Sequence, residues 1–125
     1  MIECIAVGLG GFIGSVCRYR IGLIPVNENT VFPIKTFAIN IFGSFLIGVI
    51  TAAAMKNHDL DPRLILFLKT GICGGFTTFS TFALETEGLI RQGNLGVSIL
   101  YGVLSVVLGI CAVFAGEILT NRLTI

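Results

Sequence analysis

The stretch Gly71-Ile72-Cys73-Gly74-Gly75-Phe76-Thr77-Thr78-Phe79-Ser80-Thr81-Phe82-Ala83-Leu84-Glu85 lies inside an apolar segment, yet it is a poor plain membrane helix. Its glycines weaken a helix, and hydroxyl groups and a carboxylate follow them. In hydrocarbon, irregular backbone is tolerated only where protein buries it or where it lines a cavity. The stretch therefore predicts a membrane helix that is broken in mid-membrane, where half-helix ends and freed carbonyl groups can hold ions.

A second interpretation of the glycines is also open. Gly71 and Gly75 have the small-xxx-small spacing that lets two membrane helices pack closely. Close packing alone does not explain why the polar groups cluster with Phe76, Phe79 and Phe82, which recur at near-helical spacing.

The composition is that of a membrane protein. The chain has 125 residues, of which 54% are hydrophobic and 12% charged, whereas about a quarter of the residues of soluble domains are charged. Four apolar segments, at roughly 2–24, 34–55, 63–90 and 95–119, each reach the ~20 residues that span a bilayer. We therefore predict a single all-α unit over residues 1–125 with four transmembrane helices. The first segment lacks a basic leader and is expected to be a retained helix.

Basic residues are divided almost evenly between the two sides of a four-span chain. One side carries Lys56, Arg63 and Arg122, with Lys69 as an arguable addition, and the other carries Arg18, Arg20, Lys35 and Arg91. An excess of lysine and arginine on one side normally orients a membrane protein. The near balance favours insertion both ways up and is consistent with an antiparallel dimer, while a single dominant loop remains the alternative.

A polar stripe runs along the second segment. Thr36, Asn40 and Ser44 are spaced i, i+4, i+8 and share one helical face. An asparagine inside a span is costly unless it is bonded. One interhelical hydrogen bond, worth about 1 kcal/mol, would account for Asn40 alone. A stripe over two turns instead favours a path lined by water or ions.

Further hydrogen-bond donors lie on the third and fourth segments. Ser98, Tyr101 and Ser105 are spaced i, i+3, i+7, and the hydroxyl groups of Ser80 and Thr81 follow the predicted break. Hydroxyls and amides can replace the water shell of a small anion, and phenylalanine rings have a positive edge. No cluster of embedded carboxylates is present, as a cation pathway often shows. The pattern favours a small, strongly hydrogen-bonding anion.

Two charged residues have alternative interpretations. Arg18, near the end of the first span, either snorkels to the membrane interface or faces a polar vestibule and concentrates anions. Glu85 is an acid late in the third segment, and an intramembrane acid is a functional hypothesis by default.

Enzyme chemistry is not indicated. The sequence contains no metalloprotease, phosphate-loop or nucleophile-elbow motif, and neither a nucleophile–base pair nor a nucleic-acid footprint. The rival function is a proton-coupled small multidrug exporter, which also has four short helices and dual topology. It needs a mid-membrane acid, for which Glu85 is the only serviceable candidate.

At this level of detail the chain resembles a known family. The run Gly74-Gly75-Phe76-Thr77-Thr78-Phe79-Ser80-Thr81-Phe82, with Glu85 after it, resembles the third-helix signature of the Fluc (CrcB) fluoride channels. Similar matches to the other helices are Gly10-Gly11 with Arg18-Tyr19, Asn40-Ile41-Phe42-Gly43-Ser44 with Gly48, and Tyr101 with Ser105. The resemblance covers nearly the whole chain.

The resemblance implies a passive fluoride exporter. Its expected form is an antiparallel, dual-topology homodimer in the plasma (inner) membrane of a prokaryote, with two pores lined by both subunits. Phe79 and Phe82 would be the pore-facing aromatic residues, and Asn40 would donate to the ion. A polar track would consist of Thr36, Ser80, Thr81, Tyr101 and Ser105, with Arg18 at the vestibule and Glu85 near the pore end, in a role that the sequence leaves open.

The resemblance also implies a structural Na⁺ at the dimer centre. The backbone carbonyl groups of Gly74 and Thr77 would hold it. This agrees with the freed carbonyls expected where Gly74-Gly75 interrupts the helix.

Overall fold

Every regular element that the structure describes is helical. The computed structural model describes residues 1–27 and 29–123. Its elements in chain order are α1 (Ile2–Gly22), α2 (Ile34–Lys56), α3 (Pro62–Ile65), a π-helical segment (Leu66–Cys73), α4 (Gly74–Phe76), α5 (Phe79–Arg91) and α6 (Leu95–Leu123).

The described residues form four stretches long and apolar enough to cross a membrane. These are Ile2–Gly22, Ile34–Lys56, Pro62–Arg91 and Leu95–Leu123. Large apolar side chains, such as those of Phe12 and Phe114, lie on the surface of the chain, as they do where lipid replaces water around a protein. The last stretch continues to Leu123, beyond the predicted end at 119.

The third stretch begins with the local signal expected from the sequence. The Asp61 carboxylate accepts a hydrogen bond from the Arg63 N–H at 2.9 Å, and Pro62 takes the first helical position. A proline there loses no helical hydrogen bond and has the right φ already.

Two helix pairs carry most of the packing. α1 lies against the π-helical segment and α4, and α2 lies against α6. At the first interface a Cβ on Gly14 would lie 2.8 Å from the Phe76 backbone nitrogen, and one on Gly71 would lie 2.8 Å from the Gly10 Cα. The glycines therefore allow close backbone approach, so the packing interpretation of Gly71 and Gly75 holds.

The backbone of the third stretch leaves the helix at Thr77 and Thr78. α4 ends at Phe76, Thr77 has ψ 155°, Thr78 has φ −149°, and α5 begins at Phe79. The expectation that Gly74-Gly75 would interrupt the helix was wrong in position, because both glycines have helical geometry. Gly75 packs against Gly11 of α1. Thr77 still donates its N–H and its hydroxyl to the Cys73 carbonyl oxygen, whereas Thr78 finds its partner outside the helix, in Asn40.

The close packing of α1 makes a testable prediction. Gly14→Ala should lower the free energy of unfolding by about 1–3 kcal/mol, since its methyl group meets backbone atoms that cannot move aside. Gly8→Ala is the matched control, because a Cβ there meets nothing within 4 Å. Thermal denaturation in detergent measures both, and equal melting temperatures for the two variants would contradict the packing described.

Candidate functional site

Predicted site residues from three stretches of the chain meet at one cavity. The cavity has a volume of about 330 Å³ and is lined in part by Asn40, Ser44, Lys69, Phe79, Phe82 and Ser105. We call it the central groove. α2, the π-helical segment, α5 and α6 each contribute to it, so it depends on the packing of all three stretches.

Asn40 holds the non-helical backbone of Thr78 with two hydrogen bonds. The Thr78 N–H donates to Asn40 Oδ1 at 2.9 Å, and Asn40 Nδ2 donates to the Thr78 carbonyl oxygen at 3.2 Å. The amide orientation follows from this geometry, because a backbone N–H needs an acceptor. One N–H of the Asn40 amide remains beyond the bond to Thr78. One N–H group of Asn40 is therefore left for the predicted donation to an ion. The rest of the side-chain amide is bonded to the Thr78 backbone.

The Thr78 side chain begins the next helix. Its hydroxyl oxygen accepts a hydrogen bond from the Thr81 N–H at 3.2 Å and lies 3.1 Å from the Thr81 hydroxyl. This is an N-cap, which satisfies one of the free N–H groups at a helix start. Ser80, 3.4 Å from the same hydroxyl, is exposed and does not line the central groove.

Phe79 and Phe82 lie one turn apart on α5 with ring centroids 5.7 Å apart. Phe79 is 79% exposed in the single chain. Phe82 contacts Tyr101 edge-on, with centroids 5.0 Å apart. The two rings thus differ in their packing: the Phe82 ring contacts α6, and the Phe79 ring projects from the chain.

A second group of predicted residues surrounds Glu85. The Thr36 hydroxyl donates a short hydrogen bond to the Glu85 carboxylate. Tyr101 lies beside both, completely buried, and neither its hydroxyl nor that of Ser105 has a well-formed hydrogen bond in the described part of the chain. The buried Ser105 hydroxyl is therefore a donor available to a ligand or to water, whereas the Tyr101 hydroxyl also interacts with Thr36 and Glu85.

Arg18 and Lys35 line a further cavity of about 420 Å³, together with Thr36, Thr78 and Thr81. Arg18 Nε donates to the Gly75 carbonyl oxygen at 3.2 Å, and Lys35 Nζ donates to the Gly22 carbonyl oxygen at 2.8 Å. Arg18 therefore reaches inward to the backbone near Thr77. This geometry favours the vestibule interpretation of Arg18 over snorkelling.

The carbonyl groups of Gly74 and Thr77 are chemically suited to a hard cation. In a continuous α-helix the Thr78 N–H would donate to the Gly74 oxygen, but here it donates to Asn40. Gly74 and Thr77 both line the central groove. Neutral carbonyl oxygens are ligands that hard cations accept.

Some residues of the site were missed by sequence reasoning. Phe32, from the loop before α2, packs edge-on against Tyr101 with centroids 5.3 Å apart, and no sequence periodicity marks it. Ser98 was placed on the polar stripe, but its hydroxyl donates to the Thr86 carbonyl oxygen and ties α6 to α5. Lys69 had a usable signal, because an ionisable residue within an apolar span is uncommon.

These features define a multi-pass membrane protein with buried polar donors beside an interior groove. The family model described as "CrcB-like protein, Camphor Resistance (CrcB)" matches residues 5–117, and the chain belongs to this family. The resemblance drawn from the third-segment motif is therefore confirmed.

Three similar proteins share one name. The chain is 46% identical over 121 residues to a protein of Chlorobaculum tepidum, covering 97% of this chain and 96% of that protein. It is 47% identical over 124 residues to one of Ruminiclostridium cellulolyticum (98% and 92%) and 43% identical over 116 residues to one of Azobacteroides pseudotrichonymphae (92% and 93%). Each is called a fluoride-specific ion channel FluC.

The hydrogen bonds of Asn40 can be tested by their effect on stability. Asn40→Ala leaves the Thr78 N–H and carbonyl oxygen without their partner, which should cost about 2–4 kcal/mol of unfolding free energy. Ser44→Ala, one turn further along the same face, should cost less than about 1 kcal/mol. Denaturation in detergent compares the unfolding free energies of the two variants. An Asn40→Ala protein as stable as Ser44→Ala would refute the stabilising role of the two hydrogen bonds between Asn40 and Thr78.

Proposed function

We propose that this protein is a fluoride channel that passively exports cytoplasmic fluoride, and that it is not an enzyme. The observation that carries the proposal is the central groove, where Asn40, Phe79, Phe82 and Ser105 meet. These four residues are among those that the family resemblance assigns to the pore. The name fluoride-specific ion channel, shared by relatives at 43–47% identity over nearly full length, supports the same substrate.

The chemistry of the lining suits a small anion. Fluoride loses water at the level of Asn40, whose remaining N–H replaces one water ligand. It then moves past the positive edges of Phe79 and Phe82 towards the buried hydroxyls of Tyr101 and Ser105. Thr36, Ser80 and Thr81 continue the track. Selectivity over chloride follows from a narrow path whose donors lie too close together for the larger ion.

The pore is completed by a second copy of the chain. A ring as exposed as that of Phe79 gains burial when an antiparallel partner covers the central groove. The nearly even division of basic residues supports insertion in both orientations. In this dimer, the interruption at Thr77 and Thr78 lies at mid-membrane depth, and the membrane is the inner (plasma) membrane of a prokaryote.

A structural Na⁺ belongs to the same proposal. The carbonyl oxygens of Gly74 and Thr77 from both subunits would hold it where the two third stretches cross. Bound there, the ion would offset the negative ends of the carbonyl dipoles and join the subunits. The alternative, a proton-coupled exporter, gains no support from the names of the relatives or from the position of Glu85, whose carboxylate is engaged by Thr36.

The experiment that tests the function is efflux from liposomes that contain the purified protein. A potassium ionophore balances charge, and chloride-loaded liposomes run in parallel. We expect rapid fluoride release with negligible chloride release. Release of neither ion by a folded dimer would overturn the proposal, and proton-dependent uptake of an organic cation would then test the exporter.

The aromatic rings can be tested in the same assay. Phe79→Ile and Phe82→Ile should each lower fluoride efflux on the order of tenfold, since an aliphatic side chain has no positive edge. Phe114→Ile is the matched control, because Phe114 lies on α6 with 59% exposure and outside the central groove. Unchanged efflux in both groove variants would show that the ring edges take no part in conduction.

A further inference from the structure

Lys69 is a charged residue well inside the third membrane-spanning stretch. It follows the helix start at Pro62 by seven residues, which is about 10 Å at the α-helical rise. It belongs to the π-helical segment Leu66–Cys73 and is partly buried. A lysine at such a depth is costly unless it faces a polar cavity or a partner.

The Lys69 side chain lines the central groove together with Asn40, Ser44, Phe79 and Ser105. The ion pairs within the described residues join the N-terminal amine and Arg63 to Glu3, and Arg91 to Glu87. Lys69 makes neither an ion pair nor a side-chain hydrogen bond to any residue that the structure describes. Lys69 therefore brings a basic side chain to the lining of the groove, and none of the ion pairs among the described residues neutralises it.

Lys69 and Arg18 lie at different levels of the molecule. Arg18 contacts the carbonyl oxygen of Gly75, which follows Lys69 by six residues. On α2, the groove residues continue from Asn40 to Ile47 in the direction of Lys56, and the third stretch starts from that same end of the molecule. Lys69 thus marks the end of the central groove opposite the cavity that Arg18 lines.

We propose that Lys69 is the cation that gathers fluoride at this second mouth of the central groove. The inference rests on the proposed channel function and adds a residue to it. A fixed positive charge in a cleft with low-dielectric walls raises the local concentration of anions. Lys69 precedes Thr78, the residue that Asn40 holds, by nine residues, so it acts on ions entering or leaving and does not hold one beside Asn40.

The test uses the dependence of flux on fluoride concentration. We compare the wild-type dimer with Lys69→Gln, Lys69→Arg and Lys56→Gln in liposomes at low and at saturating fluoride. Lys56 is exposed at the end of α2, and its Nζ donates to the Asn121 carbonyl oxygen. A glutamine can make a similar bond, so Lys56→Gln removes one positive charge on the same side of the chain, outside the groove.

We expect Lys69→Gln to lower fluoride flux about three- to tenfold at low concentration, with the wild-type rate approached at saturation. Lys69→Arg should keep the wild-type concentration dependence, and Lys56→Gln should match the wild type throughout. Added impermeant salt should reduce the difference between wild type and Lys69→Gln, because ions screen the charge.

Three results would overturn the inference. They are unchanged flux in Lys69→Gln at every concentration, an equal loss at every concentration, and dissociation of the dimer on size-exclusion chromatography. The last two would show that Lys69 bonds within the assembly or holds a lipid headgroup. Failure of the channel function itself is distinct, because the wild-type protein would then release no fluoride.

Discussion

The structure depends on the paired hydrogen bonds between the Asn40 side chain and the Thr78 backbone. In hydrocarbon, a peptide group that leaves a helix loses the partners that water would replace elsewhere. Asn40 supplies both an acceptor for the Thr78 N–H and a donor for its carbonyl oxygen. These bonds allow the third stretch to stop at Phe76 and start again at Phe79.

Several features of the groove follow from this one arrangement. With its backbone held, Thr78 caps α5, and the capped helix presents Phe79 and Phe82 on one side. Arg18, on α1, donates a hydrogen bond to the Gly75 carbonyl oxygen. The close approach of α1 at Gly14 and Gly71 is what brings Arg18 within reach. The glycines and the polar residues therefore act together: they surround the non-helical turn with hydrogen-bonding partners.

The charges around the groove suit attraction without tight binding. Arg18 and Lys35 line one cavity and Lys69 lines the other. In the proposed pathway, amides, hydroxyls and aromatic edges lie between them, with the Glu85 carboxylate held by Thr36. A full positive charge in the narrow part would trap an anion strongly at low dielectric. Cations at the ends and weak donors between them let an anion enter and also leave.

The sequence by itself determined the four spans, the family and several residues of the central groove. Apolar runs of sufficient length admit few alternatives in a bilayer, and the run from Gly74 to Phe82 is specific. It misplaced the end of the helix at Gly74-Gly75, since a glycine's low helix propensity is a local property. Only the tertiary structure decided that the backbone leaves the helix after Phe76, because Asn40, the partner of the Thr78 backbone, lies 38 residues away along the chain. For the same reason Phe32 against Tyr101 and Lys69 in the groove were invisible to periodicity: their roles are set by neighbours that other helices bring to them.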